Sequence, residues 1–582
     1  MHGPDFLEIY ERALAAIEKG DAVAANKRAA VLALARGGAT QLALQKYTAF
    51  GLDDATDEDA LSLRGRLLKD TGLMKGAARG RADLQASADA YYKAYQITRG
   101  SYSGINAATL FLLSGQGVRS QSLAQDVLDS LQRLSQAGPS EAQYFRMATI
   151  AEAQLLLDRP GAAETALANA IAVDPENYPA HASTLRQFVR ILEFKSLPTA
   201  WLDAFRPPAI ACYAGRIQGF DPGDQGNEIQ IRAAAATAVR TNRIGVAYGA
   251  LAAGSDIILA EAFLDAGCAL RVILPCAAEA FQTHSVLPFG PAWRERFVSC
   301  LARAESIDIA TNDTSLMGRV AVQLATELAM GRAVVCADSL ATSAVQVLLA
   351  PSDRGHTRQS HDTWNASGLQ LKTLILGNDL DWPVDDDLPG IELAEDHRQL
   401  AAMLFADFAG FGQLADRQVA TVVHDVLPVL ADVLHGWGGD LLHLNSWGDG
   451  IFAMFSSVAI AADAAIAMQA RLRSMDLAAL GLPETLALRI GGHYGPVSFA
   501  TDSLTGRQAP FGSQIAYAAR IEPVAVPGSI LVSDAFAARL ALSSDSRATV
   551  SYVGRHRLKH APTDARLYAL TDPAGITATV PK

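Results

Sequence analysis

The sequence predicts a multidomain protein: an all-α helical repeat region, then an α/β domain built on a parallel sheet, then an α+β sandwich. A chain of 582 residues is too long for a single hydrophobic core. Residues 1–200 carry apolar positions at helical spacing, whereas residues 207–350 alternate short apolar runs with helical patterns. Residues 398–572 mix strand-like runs with two or more helices, which is typical of an α+β domain.

Composition and charge narrow the classes of function. Half of the residues are hydrophobic, and the net charge of −12 comes without a basic tract, so we expect no nucleic-acid partner. The five cysteines form no CxxC pair, which argues against a zinc site or a disulfide framework and favours a reducing compartment. We see no signal pattern at the N-terminus and no uninterrupted apolar stretch of about 18 residues, so we expect a cytoplasmic protein without a membrane partner.

Residues 1–200 are predicted to form successive helices. Apolar positions recur at helical spacing in Phe6–Ile17. Ala151–Pro175 predicts two short helices, the second ended by its proline. This unit resembles a tetratricopeptide repeat. Tyr102–Leu110, within a longer segment from Tyr91, is similar to the helical central regulatory region of the apoptosis signal-regulating kinases. The resemblance implies a regulatory region that binds a protein partner; the alternative is a solenoid that only packs.

Residues 207–350 are predicted to form a parallel sheet with helices on both faces. Five short apolar runs separated by helical patterns support this: Ala209–Tyr213, Ile257–Leu259, Leu270–Leu274, Ile307–Ile309 and Ala333–Val335. In such sheets, ligands lie at the carboxyl ends of the strands, often near glycine-rich turns.

The glycine-rich segment Tyr248–Glu261 lies within this domain. It resembles the SLOG superfamily, a Rossmann-like group that binds nucleotides or their derivatives, and a toll/interleukin-receptor-like domain is the related alternative. The resemblance implies a nucleotide-derived ligand near Gly215, Gly249 and Gly254, with Glu261 as the residue to test for chemistry. The alternatives are that the glycines only form turns and that Glu261 is a solvated acid on a helix.

Residues 351–397 are predicted to be a linker. Pro351–His361 and Asp381–Gly390 are polar and rich in residues that break regular structure. The strand-like Leu371–Leu376 could pack onto a neighbouring domain.

Three segments near the C-terminus contain strand-like runs, and each of the first two offers one acidic residue: Phe405–Phe411, Trp447–Phe455 and Arg489–Val497. The first predicts a strand that enters a turn, where Gly410 and its neighbours let backbone N–H groups approach a polyphosphate. The second predicts a hairpin with Asp449 at its tip. Two carboxylates, Asp407 and Asp449, could together hold a pair of divalent cations against a nucleoside triphosphate.

These segments, in this order, resemble the catalytic domain of the class III adenylyl and guanylyl cyclases over about residues 398–572. The resemblance implies that Asp407 and Asp449 bind two Mg²⁺ or Mn²⁺ ions and that Arg520 stabilises charge on the α-phosphate. It further implies substrate contacts from Phe408, Gly410, Phe411 and, by position, Lys559. In that family the site forms between two catalytic domains, so we expect a homodimer. We assign His493 to a hydrogen bond with neighbouring backbone and Arg489 to structural work.

The sequence departs from the family pattern where the base and ribose bind. Ala516 stands where the family has a ribose-orienting asparagine. Asn445 and Ala509 stand at the two base-selecting positions, and neither can read a purine in the family's usual way. Three explanations stay open: ATP in a different base pocket, another nucleotide including a pyrimidine one, or a weak cyclase kept as a nucleotide-responsive module.

The sequence therefore predicts a cytoplasmic nucleotide cyclase, with ATP favoured, regulated by its N-terminal domains. Two alternatives remain. One is a non-catalytic signalling scaffold that binds nucleotide and dimerises. The other is an enzyme whose activity lies in the middle domain and cleaves a nucleotide or nicotinamide cofactor.

Overall fold

The computed structural model describes most of the chain and shows three regions in sequence order. The described residues are 6–21, 23–36, 39–133, 139–217, 225–311, 318–349, 355–369, 371–377, 397–559 and 564–572.

Helices alone form the first region, as the periodicity predicts. Its described helices are α1 (Phe6–Glu18), α2 (Ala24–Arg36), α3 (Thr40–Ala49), α4 (Glu58–Arg79), α5 (Arg81–Thr98), α6 (Ser101–Leu113), α7 (Gly117–Gln132), α8 (Ser140–Leu156), α9 (Pro160–Val173) and α10 (Tyr178–Phe194). Local sequence sets several ends. The Asp57 side chain caps α4 by accepting from Ala60 N at 3.0 Å, and α9 begins at Pro160 and ends at Val173, next to the predicted turn.

A six-stranded parallel sheet forms the second region. Its strands are β1 (Ala209–Gly215), β2 (Ile244–Gly249), β3 (Ala269–Leu274), β4 (Ser306–Ile309), β5 (Ala344–Leu349) and β6 (Lys372–Leu376). Its helices are α11 (Gln225–Asn242), α12 (Ser255–Asp265), α13 (Ala278–Ser285), α14 (Pro291–Arg303), α15 (Arg319–Ser339) and α16 (Gly355–Ala366). The strand order β4-β3-β2-β1-β5-β6 is that of a doubly wound sheet.

Two of the five predicted strands of this sheet are wrong. Ile257–Leu259 lies in α12 and Ala333–Val335 in α15. The strands that take their places, β2 and β5, were not predicted. A short apolar run suits a buried helix and a buried strand equally well, so periodicity alone does not separate them.

The predicted linker is partly wrong as well. Residues 355–376 include α16 and β6, and β6 pairs in parallel with β5 from Val345↔Lys372 to Leu349↔Leu376. The run Leu371–Leu376 therefore extends the middle sheet. Asp381–Gly390 lies outside the described residues.

A second, mixed sheet forms the third region. Its strands are β7 (Gln399–Ala409), β8 (Leu441–Trp447), β9 (Gly450–Phe455), β10 (Ala487–Thr501), β11 (Gln508–Phe511), β12 (Ile530–Ser533), β13 (Thr549–His556) and β14 (Ala565–Thr571). Its helices are α17 (Asp416–Thr421), α18 (Leu427–His435), α19 (Val458–Arg473), α20 (Ser513–Ala518) and α21 (Asp534–Leu540). The order is β13-β14-β12-β10-β7-β9-β8, and β11 pairs with β10.

The helical stretch from Asp416 to His435 has a local irregularity. A π-helical segment, Val422–Val426, joins α17 to α18. Pro428 has no N–H to donate in the following turn, which explains why the regular ladder breaks here.

Helix α15 connects the two sheets. It packs against β1 on one side and α21 on the other, and a Cβ at Gly331 would overlap the backbone of Ala538. Among the described residues, α15 is also the helix whose length and hydropathy would suit a membrane span. In the fold it lies between two domains, and its Glu327 and Arg332 make ion pairs with the third region.

Candidate active site

Two antiparallel strands position the first pair of charged side chains. Asp407 on β7 lies directly opposite Arg489 on β10, so the two side chains project from the same face of the sheet. Arg489 Nη2 lies 2.7 Å from Asp407 Oδ2. Asp407 is thus ion-paired within its own chain.

The hairpin between β8 and β9 brings in the second carboxylate. Gly448 has a φ of 66°, a conformation that favours glycine, and Asp449 follows it in the turn. Burial and a hydrogen bond with Asp407 raise the pKa of Asp449, the negative charge of Asp407 adds to this, and Arg489 opposes it. The two aspartates, 42 positions apart in the sequence, therefore lie side by side.

A third carboxylate, Glu522, borders this pair. Its Oε1 lies 3.0 Å from Arg489 Nε, an ion pair without good hydrogen-bond alignment. Burial raises the pKa of Glu522 to about 7; Arg489 lowers it, and Asp407 and Asp449 raise it. Gly491 permits the approach, since a Cβ there would overlap the backbone of Glu522.

Sequence reasoning missed Arg489 and Glu522 as members of this cluster. Arg489 had been assigned structural work, although it lies in one of the three quoted segments. Glu522 follows Arg520 by two positions, and this closeness to a predicted catalytic residue was the available signal.

The turn after β7 has the predicted shape, with one correction. Gly410 has a φ of 83°, and a Cβ at Gly410 or Gly412 would meet no atom within 4 Å, so the backbone here is open. The Phe408 side chain, however, is 1% exposed and belongs to the core. Phe408 could contact a substrate only through its backbone, because alternate residues of a strand face opposite sides of the sheet.

Arg520 lies just after α20, where its N–H donates to Tyr517 O at 3.1 Å. Within the described part of the chain, no ion pair links Arg520 to Asp407 or Asp449. The Lys559 side chain likewise has no hydrogen bond or ion pair with a described residue, and it is exposed. The structure therefore does not bring these two cations to the acidic pair of the same chain.

The predicted base-reading positions are partly open. Asn445 is exposed on β8, and its Oδ1 accepts from Ser446 N at 3.0 Å. Ala509 lies on β11 opposite Ala500. Ala516 is exposed on α20.

His493 is not part of the acidic cluster. Its Nδ1 lies 2.7 Å from Ser533 Oγ and its Nε2 lies 2.7 Å from Gln514 Oε1. Both partners are side chains, which corrects the expectation of a backbone partner. Burial lowers the pKa of His493 to about 4, so it stays neutral and ties β10 to α20.

The donor set of the cluster suits a divalent cation of the magnesium type. Mg²⁺ takes oxygen ligands and commonly binds through one or two carboxylates together with substrate phosphates. Asp407 and Asp449 supply that number. In the described part of the chain, no group of three or more His, Cys, Asp or Glu residues could hold a metal ion by itself.

In the middle domain, the predicted ligand residues make packing contacts. A Cβ at Gly215 would overlap Ser255, and Gly215 N donates to Asp256 Oδ1 at 3.0 Å. A Cβ at Gly249 would lie 2.5 Å from the Tyr213 ring. Gly254 has a φ of 96° at the start of α12.

Glu261 is neither solvated nor free. It forms ion pairs with Arg232 and Arg296, which also bind Glu228. These contacts hold α11, α12 and α14 together. The loops that follow β1, β4 and β5 lie outside the described residues, so the ligand site predicted for this sheet stays a prediction.

Comparison with known proteins assigns the two ends of the chain to domain families. Residues 393–572 match the family described as the adenylate and guanylate cyclase catalytic domain. Residues 5–111 match the family described as Tetratricopeptide Repeats-Sensor. Residues 393–572 are thus a cyclase-type catalytic domain, and residues 5–111 are a tetratricopeptide sensor region.

One similar curated protein is "Putative adenylate cyclase 3" of Rhizobium meliloti (strain 1021), 32% identical over 143 residues. The match covers 24% of this chain and 22% of that protein, so this chain spans about a fifth of its relative. Solved structures with similarity include the adenylyl cyclase CyaB from P. aeruginosa (18% identity, 30% of this chain, 95% of that chain, TM-score 0.26). The guanylyl cyclase Cya2 is another (22% identity, 31% of this chain, 98% of that chain, TM-score 0.27).

Proposed function

We propose that the C-terminal domain converts a nucleoside triphosphate, with ATP favoured, into a 3′,5′-cyclic nucleotide and pyrophosphate. The observation that carries this proposal is the convergence of Asp407 and Asp449, from separate structural elements, beside Arg489. Two neighbouring carboxylates, one of which has a raised pKa, form a site that a cation stabilises.

Asp407 and Asp449 would hold two Mg²⁺ or Mn²⁺ ions. When bound, these ions supply positive charge that favours ionisation of the ribose 3′-hydroxyl and neutralises the phosphates. The chain's own residues supply position. The open backbone at Gly410 and Phe411 donates N–H groups to the polyphosphate, and the turn at Gly448 sets the second carboxylate against the first.

Arg489 has two roles in this scheme. Without a cation it neutralises Asp407 at 2.7 Å. Once Asp407 binds a cation, the guanidinium is free to contact a phosphate while Glu522, 3.0 Å from its Nε, keeps it in place. A planar guanidinium suits phosphate oxygens in this way.

A homodimer would supply the remaining cations. Arg520 and Lys559 make no ion pair within the described part of their own chain, and we expect each to act on the site of a second copy. Exposed apolar side chains support such an interface: Trp447 is 52% exposed next to Asp449, and Phe511 and Leu504 are 51% and 95% exposed on or near the β10–β11 hairpin. A two-fold pair would contain two equivalent sites.

The test is incubation of the purified protein with each of the four triphosphates and Mn²⁺, with cyclic product and pyrophosphate measured by chromatography and mass spectrometry. We expect turnover with ATP that Asp449→Asn abolishes. Asp432→Asn, an exposed acid on α18, is the matched control and should retain activity. Turnover that survives Asp449→Asn would contradict the proposal.

A signalling scaffold is the second candidate, because Ala509 and Ala516 cannot read a base or orient a ribose. Nucleotide binding that requires metal but produces no cyclic product would support it. Restoring asparagine at position 516 separates the two candidates, since a rise in rate shows that the altered half of the site limits an existing activity.

Regulation by the N-terminal regions is part of the proposal. We infer that a nucleotide-derived ligand in the middle domain, or a protein partner at the helical repeats, shifts the catalytic domains relative to one another. The packing of α15 against α21 supplies the physical link. Cleavage of a nucleotide or nicotinamide cofactor that survives Asp449→Asn but not Glu261→Ala would instead indicate an enzyme whose activity lies in the middle domain.

A further inference from the structure

The helical region carries a polar face shared by its even-numbered helices. Lys69 Nζ on α4 lies 3.4 Å from Asn106 Oδ1 on α6. Thr109 Oγ1 on α6 donates to Glu152 Oε1 on α8 at 2.5 Å, and Gln187 Nε2 on α10 donates to the same oxygen at 3.2 Å. Side chains therefore connect four helices across one continuous face.

The distinctive segment Tyr102–Leu110 contributes to this face. Tyr102, Asn106 and Thr109 are spaced i, i+4 and i+7, so they share one side of α6. Gly104 serves packing instead, because a Cβ there would lie 2.6 Å from Val127. The motif thus separates a packing side from a polar side.

Positive charge exceeds negative charge on this face. We call Arg36, Arg66, Lys69, Arg186 and Arg190 the basic face. The exposed Glu193 also lies near Arg190. The half-buried acids beside the basic face are Asp70 and Glu152, in a chain whose net charge is −12.

Those two acids are already engaged. Glu152 accepts from Thr109 and Gln187, and Asp70 lies 3.6 Å from Arg66. Within the described part of the chain, Lys69 and Arg190 have no ion pair.

The cations of the basic face repel one another. Burial lowers the pKa of Lys69, and Arg66 and Arg190 lower it further, while Asp70 raises it. Burial and Arg186 lower the pKa of Arg190, and burial and Arg66 lower that of Arg36. An added negative charge would relieve this repulsion.

Polar atoms on the same face lack partners. Ser62 Oγ and Arg66 Nε, one turn apart on α4, are buried without a hydrogen bond to any described group, and Arg66 Nε only lies 3.6 Å from Asp70 Oδ2. Such atoms are rare in folded proteins. The Arg66 side chain is nevertheless 32% exposed, so a solute can reach the face from solvent.

We propose that the basic face binds a small multivalent oxyanion, such as a phosphorylated metabolite, with Arg66, Lys69 and Arg190 contacting its oxygen atoms. Phosphate oxygens match the forked donors of arginine, and several charges on one small ligand compensate cations from separate helices. Arg186 donates to Ser339 O at 2.8 Å, next to the end of α15. The site therefore adjoins the junction with the middle domain.

The test is titration of the full chain with sodium tripolyphosphate, in EDTA, by isothermal calorimetry. We expect one ion to bind per chain, with an affinity that falls as salt is added. Binding should also raise the melting temperature, since the ligand stabilises the folded state.

Single substitutions assign the site. Arg66→Gln and Arg190→Gln should each weaken binding by about tenfold, because each removes a charge-assisted contact. Arg64→Gln is the matched control on the same helix; Arg64 is exposed and pairs with Asp53 at 3.5 Å. Without ligand, Arg190→Gln should melt at the same temperature as the wild type or at a higher one, since one repelling cation is gone. If Arg190 were a purely structural cation, its replacement would lower the melting temperature.

Four results would overturn the proposal. The first is no binding at millimolar tripolyphosphate, and the second is binding that neither Arg66→Gln nor Arg190→Gln changes. The third is binding that Arg520→Ala removes instead, and the fourth is a glutamate-rich peptide that binds more tightly than tripolyphosphate. The third places the anion at the candidate active site, and the fourth indicates a protein partner.

Discussion

Asp407, Asp449, Arg489 and Glu522 form one electrostatic unit. Three carboxylates surround a single guanidinium, so the cluster has an excess of negative charge whenever all three are ionised. Burial is the main cause of the raised pKa values of Asp449 and Glu522, and the negative charge of the neighbouring carboxylates adds to both shifts. A divalent cation would remove the excess.

Replacing Arg489 should separate metal binding from catalysis. Arg489→Gln removes the cation that competes for Asp407, so Mn²⁺ should bind at least as tightly as to the wild type. The rate with ATP should fall by about 10- to 100-fold, because a charge-assisted phosphate contact is lost. Mn²⁺ titration and steady-state kinetics test the two halves; weaker Mn²⁺ binding would contradict the assignment.

Glu522 should make stability depend on pH. Its pKa is raised from 4.5 to about 7 in the fold, so the native state holds a proton that the unfolded state releases, and stability falls as the pH rises from 4.5 to 7. The loss is on the order of 2 kcal/mol.

In EDTA, we therefore expect the melting temperature of the wild type to be higher at pH 5 than at pH 7.5. This difference should be larger in the wild type than in Glu522→Gln. Equal differences in the two proteins would show that Glu522 titrates normally. Asp256, whose burial raises its pKa to about 7, contributes in the same direction to both proteins and cancels in the comparison.

At the scale of elements, glycine positions decide how closely strands and helices approach. Gly215 lets the end of β1 lie against the start of α12, where Asp256 accepts from Gly215 N and Ala252 N. The carboxylate thus occupies the N–H of Gly215, a residue predicted to lie near a nucleotide-derived ligand.

Gly215→Ala should destabilise the protein by about 1–3 kcal/mol, because the new methyl group overlaps Ser255. Gly161→Ala in α9 is the control: a Cβ there meets no atom within 4 Å, so stability should be unchanged or slightly raised. The melting temperatures of the two variants and the wild type test this expectation. Equal values would refute a packing role for Gly215.

Element prediction succeeded where length and context were distinctive. The hairpin around Asp449 and the strand at Asp407 are β8–β9 and β7, because turn glycines follow or interrupt their strand-like runs. Ile257–Leu259 and Ala333–Val335 failed because three apolar residues fit any buried element. Residues of β6 were placed in the linker because nothing local shows that a strand has a partner.

At the scale of the whole molecule, the middle and C-terminal domains share a charged junction. Arg332 on α15 binds Asp308 at 2.8 Å and also pairs with Asp534 on α21. On β10, Tyr494 donates to Glu327 of α15 at 2.9 Å, and its neighbour His493 contacts Gln514 on α20. Two adjacent residues of β10 therefore connect α15 to the helix that precedes Arg520.

Arg332→Met should cost about 2–3 kcal/mol, because it leaves the partly buried Asp534 without its cation and Asp308 with Arg566 alone. Arg358→Met, which breaks an exposed pair with Asp362, should cost about 0.5 kcal/mol or less. Thermal unfolding compares them. The proposed link further predicts altered cyclase activity in Arg332→Met alone; unchanged activity with lowered stability would mean that the junction only holds the domains together.

The sequence alone determined the order of the three regions, the acidic pair, and the alanines where base and ribose would bind, because these follow from local pattern and residue identity. Only the tertiary structure decided that Arg489 and Glu522 join the pair, that Phe408 is buried and that Gly215 and Glu261 make packing contacts. Those facts depend on which strands become neighbours and which charges then meet. Residues 82 or 115 positions away from Asp407 are brought beside it by long-range pairing that no local pattern encodes.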